Sequence, residues 1–111
     1  MKYSDWLKKK PDFDLVYRKG HSKATHNLVL YVRPNDSDLN RLGISVSKKV
    51  GNSVVRHHIT RLIREAYRLH EEEFKRGIDL VIVVRPAAKE ITYHETERDL
   101  MHLSDILKVR V

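Results

Sequence analysis

The sequence predicts an α+β fold, a single-domain α/β sandwich, and three observations carry that expectation. Residues 27–33 and 41–47 each alternate apolar and polar side chains, the period of a strand with one greasy face. The segment from Ser53 to about Phe74 repeats its apolar residues at helical spacing. The run IDLVIVV at residues 78–84 is apolar almost throughout, as an interior strand requires. At 111 residues the chain has room for one domain with a modest core.

Taken in order, residues 1–10 read as a flexible basic arm and residues 11–111 as the domain. Pro11 opens a short helix with Phe13, Val16 and Tyr17 three and four residues apart, and Gly20 ends it. Residues 21–25 suit a further short strand that periodicity leaves open. Leu28, Leu30 and Val32 then point one way, and Val29, Tyr31 and Arg33 the other. The stretch PNDSD at residues 34–38 is turn chemistry. Leu42, Ile44 and Val46 share the next greasy face, opposite Gly43, Ser45 and Ser47. Gly51, Asn52 and Ser53 supply a turn and an N-cap for the longest helix, which is expected to reach Phe74, with Gly77 as its stop. Pro86 closes the apolar strand. Thr92 and Glu95 form the capping box of a last helix that lines up Tyr93, Leu100, Leu103 and Leu107. The residues alone therefore read α-β-β-α-β-α.

Charge narrows the function. Lys and Arg number 22 against 15 acids, a formal +7, which suits a polyanion: nucleic acid or an anionic membrane surface. The excess is a patch, since residues 41–68 hold seven Lys or Arg and one acid, Glu65. There is no cysteine, which excludes disulfides, thiolate zinc sites and cysteine nucleophiles. No apolar run is long enough to span a bilayer and no signal-peptide core follows Met1, so no membrane partner and a cytoplasmic setting are expected.

On a helical wheel with Val54 at zero, Val55, Ile59, Leu62, Ile63, Ala66 and Leu69 fall on an arc from roughly 60° to 180°. His57, Arg61, Arg64 and Arg68 fall on the opposite side, with Arg56 and His58 at its flanks. Guanidinium forks match phosphate oxygens bidentately and keep their charge at any working pH. A plain solvated face would mix glutamates among the arginines as i,i+4 pairs, and only Glu65 interrupts here. Ser47, Lys48 and Lys49 precede the Gly51-Asn52 turn into the helix N-terminus, where an anion can also be held, although the Walker spacing is missing. Seven histidines show no i,i+4 pair on a helix and no HExxH, so no metal site is expected. His57 and His58 diverge by about 100° as helical neighbours, which argues against a catalytic pair, and no catalytic residue is expected. Glu71, Glu72 and Glu73 read as a solvated helix end.

Joined together, RLGISVSKKVGNSVVRHHITRLIREAYR closely resembles the signature of the bacterial ribonuclease P protein family, and FDLVYRKGHS resembles its opening helix and turn. The resemblance spans roughly residues 11–107. It implies the order α-β-β-β-α-β-α with a left-handed β-α-β crossover, where general rules favour the right hand. It implies that Arg56, His57, His58, Arg61, Arg64 and Arg68 face the ribozyme RNA. The chain departs from the motif at His57, usually Asn, at His58, usually Arg, and at Thr60, often Lys. It implies too that Phe13, Tyr17, Tyr31, Ser47, Lys48, Lys49 and Asn52 line a cleft for the single-stranded 5′ leader of precursor tRNA. Rings there suit bases of any sequence, though Phe13 equally suits a core. The implied function is that of a non-catalytic subunit in tRNA 5′-end maturation. Its partners are ribonuclease P RNA and precursor tRNA, with magnesium at the RNA active site and no cofactor held firmly by the protein. Other RNA-binding modules of similar architecture and a stand-alone nuclease are the rival readings. The oligomeric state stays open.

Overall fold

The computed structural model describes residues 1–111. It forms β1 (Ser4–Trp6), α1 (Lys10–Lys19), β2 (His21–Ala24), β3 (Leu28–Pro34), β4 (Asn40–Val46), α2 (Ser53–His70), β5 (Ile78–Val84) and α3 (Tyr93–Ile106). After β1 the order is α-β-β-β-α-β-α, with residues 21–24 forming the strand that periodicity left open. One sheet runs β1-β4-β5-β3-β2. β4 is parallel to both β1 and β5, and β3 is antiparallel to β5 and β2.

The alternation in the strands decides what covers each face. Leu28, Leu30, Val32, Leu42, Leu80 and Ile82 are buried on one side, against Ile59, Ile63, Ala66 and Tyr67 of α2 and Leu100 and Leu103 of α3. β5 lies in the sheet's middle and is buried on both faces, which is why it reads as a continuous apolar run. On the other face Val81 packs with Leu7 and Val16, and Phe13, Tyr17, Tyr31 and Val83 lie partly buried around them. The layers are therefore α1, sheet, and α2 with α3. α1 approaches closely because residue 43 has no side chain: a Cβ there would stand 2.7 Å from the Phe13 ring.

The first ten residues are not a loose arm. β1 pairs along β4, Leu7 is buried, and the backbone amides of Lys2 and Tyr3 donate to the Glu71 carboxylate at 2.7 and 3.0 Å. The Ser4 hydroxyl meets the Tyr67 hydroxyl at 2.6 Å, and the Arg76 guanidinium lies 3.7 Å from the Tyr3 ring centre. A strand of three residues is too short to show a period, and its partners are remote in sequence. Glu71 correspondingly is not a solvated helix end. It is buried, and α2 stops at His70 rather than Phe74, passing into a 3-10 turn over Glu71–Glu73 that turns this carboxylate to the N-terminal amides. Burial pushes the Glu71 carboxyl up, but the bonds from Ser4, Lys2 and Tyr3 outweigh it and hold it below the ordinary carboxylate value. Gly77, at φ +83°, makes the turn into β5 where a Cβ would strike the Ser37 carbonyl.

The end of α2 is clamped to α3. His70 bonds Glu73 through Nδ1 and Glu97 through Nε2, the latter at 2.9 Å; Tyr93 donates to Glu97, and Arg110 holds Glu73 and Asp105. Hydrogen bonding to Glu97 and Glu73 raises His70 above its ordinary 6.5, and the same bonds lower both carboxyls below 4.5. The histidine's contribution is complete below 6.5 and is lost as pH rises through its raised folded value. The carboxylates' contributions are complete above 4.5 and are lost as pH falls through their lowered values. The clamp is therefore strongest between those limits. Urea unfolding of wild type and His70→Gln should differ most near about pH 5–6 and progressively less as the pH rises through the raised value of His70. A difference that ignores pH would remove this account.

Candidate nucleic-acid interface

α2 begins where the Asn52 side chain accepts the Val55 amide at 3.0 Å, so the oxygen of Asn52 serves the helix. Its buried stripe is Ile59, Ile63, Ala66 and Tyr67. That stripe lies further round the wheel than the apolar arc of the sequence. Leu69 is 54% exposed, while Tyr67 is fully buried, its hydroxyl satisfied by Ser4 and Asn40. The opposite side is cationic as expected: His57, His58, Arg61, Arg64 and Arg68 are exposed and Arg56 is half-buried.

These cations are not equivalent. Arg61 has no carboxylate partner, and Arg64 lies over the Trp6 ring, 4.6 Å from its centre. The Nε of Arg56 is enclosed without a hydrogen-bond partner. Arg68 instead bonds Glu65 with two nitrogens, which raises the guanidinium and lowers the carboxyl. The free positive charge of the helix therefore sits in its N-terminal two thirds. Two hollows open there. One of about 500 Å³ is bounded by Ser53, Val54, His57, His58 and Arg61, and one of about 320 Å³ by His57, Thr60, Arg61 and Arg64. Neither is lined by a carboxylate.

On the sheet's other face the three aromatic residues meet. Phe13 and Tyr17 have ring centres 6.4 Å apart and tilted, and Tyr17 meets Tyr31 edge-on at 5.0 Å. All three are half-buried, so none is sealed in the core. Cross-strand register carries the floor onward from Tyr31, Val81 and Gly43 to Val29, Val83 and Ser45. β4 ends at Val46, and Ser47, Lys48, Lys49 and Asn52 follow, all exposed. Phe13 is both packed and accessible, since it lies against Gly43 and also lines a groove beside Trp6. Trp6 and Lys8 line the same groove, within the residues that the sequence reads as an arm. The cue to them in the sequence is an isolated Trp-Leu pair amid polar residues. No group of three or more His, Asp or Glu side chains is arranged to hold a metal ion. No helix is long and apolar enough to cross a membrane.

A cationic helix lacking internal carboxylate partners over half its length, backed by a half-open ladder of rings, defines a nucleic-acid-binding α+β protein. The chain matches the family model for Ribonuclease P over residues 1–108, and it belongs to that family. It is 52% identical over 106 residues to the Ribonuclease P protein component of Lachnoclostridium phytofermentans, covering 96% of this chain and 91% of that protein. It is 47% identical over 109 residues to that of Alkaliphilus metalliredigens, covering 98% of each. The solved RNase P protein of Staphylococcus aureus is similar at a TM-score of 0.87 and 41% identity, over 94% of this chain and 95% of that one. That of Thermotoga maritima gives 0.81 at 27% identity, over 94% and 96%.

Proposed function

We propose that the N-terminal two thirds of α2 seat this subunit on the catalytic RNA, through Arg56, Arg61 and Arg64 with His57 and His58 beside them. The α1 cleft takes the precursor's leader on Phe13, Tyr17 and Tyr31, with Ser47, Lys48, Lys49 and Asn52 toward its phosphates. The chain serves ribonuclease P as its protein component, and the ribonucleoprotein removes the 5′ leader in tRNA maturation. The RNA performs the hydrolysis, with magnesium at its own site. The protein's part is physical: guanidiniums neutralise phosphates, and rings stack with bases at about 1–3 kcal/mol each. A cytoplasmic setting belongs to the same reading. One observation carries it: the uncompensated cations of α2 and the ring ladder occupy different layers of one small domain, so two RNA segments can be held together.

Reconstitution tests it. Added to a bacterial ribonuclease P RNA at low magnesium, the protein should restore leader removal, and alone it should cleave nothing. Cleavage by the protein without RNA would favour the nuclease reading. With about five phosphates contacted, the slope of log affinity against log salt should be roughly −3.5 to −4.5. A salt-independent affinity would exclude phosphate contact as the main attraction.

A further inference from the structure

β1 pairs with β4 only as far as Trp6 opposite Leu42, after which the chain leaves the sheet for α1. β4 runs on to Val46, so beyond Leu42 its outer edge has no partner strand. Against that edge lies a groove of about 330 Å³, lined among others by Trp6, Lys8, Phe13, Ile44, Thr60 and Arg64. That is the small end of the range for ligand sites, about 300–1,000 Å³.

Its chemistry is specific. The walls are apolar and aromatic, the two cations Lys8 and Arg64 are exposed, and no carboxylate lines it. The Arg64 guanidinium already stacks on the indole, so the pair offers a preformed flat surface that a further ring can extend. The groove shares Thr60 and Arg64 with the cationic hollow of α2, so a strand following those arginines passes its mouth. A flat apolar slot between positive charges matches a nucleobase with its phosphate. A peptide added to the β4 edge would find only the short stretch from Gly43 to Val46, and cations with no acid beside them.

We propose that Trp6 and Arg64 form a stacking site for one unpaired nucleotide of the bound RNA, its base entering the groove and its phosphate meeting Lys8 or Arg61. This rests on the RNA-binding reading of α2 and adds a second aromatic contact outside the α1 cleft. The base comes either from the catalytic RNA or from the precursor's leader.

Trp6 is the only tryptophan in the chain, so its emission reports on this groove alone. Wild-type protein is titrated with a bacterial ribonuclease P RNA, with a single-stranded leader oligonucleotide, and with heparin, a polyanion without bases. Binding is followed in parallel by gel shift. The expected result is quenching that saturates together with binding for one RNA and is absent with heparin; the RNA that quenches identifies the source. Trp6→Leu should weaken that RNA by about five- to a hundredfold, and Trp6→Tyr by a few-fold at most. Thermal unfolding checks that each variant is folded, and the wild-type titration decides the question if Trp6→Leu is not. Bound RNA with unchanged emission, or equal quenching by heparin, overturns the proposal and leaves the edge to a peptide. Failure of the ribonuclease P RNA to bind at all would overturn the RNA reading of α2 as well.

Discussion

Arg41→Ala is expected to destabilise the fold by about 2–3 kcal/mol, the cost of taking the half-exposed charged donor from a buried carboxylate. The Asp79 side chain is 1% exposed, and it accepts Arg41 Nε at 2.8 Å, a terminal guanidinium nitrogen at 2.7 Å and the Asn35 amide at 2.9 Å. Without the guanidinium a carboxylate remains inside the protein with one neutral donor. Small domains are stable by about 5–15 kcal/mol, so the loss is a large share of the total. Replacing both partners, Arg41→Met with Asp79→Leu, removes the buried charge altogether and should recover most of it; Asn35 then still donates to the Leu39 carbonyl at 2.9 Å. Urea titrations of the single and double variants give both numbers. A single-variant loss under about 1 kcal/mol would mean that Asp79 stays hydrated. If the α1 cleft takes the leader as proposed, the pair also reaches function, because Arg41 lies 3.6 Å from Asp12 on α1, the helix that carries Phe13 and Tyr17. Loosening it should widen the ring ladder and weaken leader binding before it affects the arginine face of α2.

What the sequence made legible follows from how local each signal is. Leu28, Leu30 and Val32 show their face by period two, and the Thr92–Glu95 box marks the start of α3 within four residues. Arg61 and Arg64 stand out as a cationic stripe because helical neighbours are near in sequence. β1 was hidden because its hydrogen bonds go to β4 and to Glu71, which is 68 residues from Tyr3. The phase of α2 is hidden for the same reason. An arc drawn by hydropathy prefers Leu69 to Tyr67, and only the remote Ser4 and Asn40 make a phenol acceptable inside. The candidate site divides likewise. The Glu65–Arg68 pair lies within one helical turn and could be read in advance, whereas the stack of Arg64 on Trp6 joins segments that only folding brings together.

Arg61→Ala combined with Arg64→Ala is expected to weaken the complex with ribonuclease P RNA about a hundredfold near 0.1 M salt, taking roughly 1.5 kcal/mol per lost charge-assisted contact. The salt dependence separates this from a folding defect. Two phosphates fewer should make the log–log slope shallower by about 1.4–1.8, while unfolding part of the sample lowers the amplitude and leaves the slope alone. Both side chains are exposed and neither is paired with a carboxylate, so the stability cost should be limited to the Arg64–Trp6 contact, about 0.5–1 kcal/mol. Arg68 provides the contrast within the same helix. Its charge is already shared with Glu65, so Arg68→Ala should cost less than either of the other two, and Glu65→Gln should tighten binding by releasing it. The effect of an arginine on RNA affinity thus depends on whether the fold has given it a carboxylate. Equal losses at positions 61, 64 and 68 with an unchanged slope would show that none of these arginines meets a phosphate, and would remove the ribozyme-facing assignment.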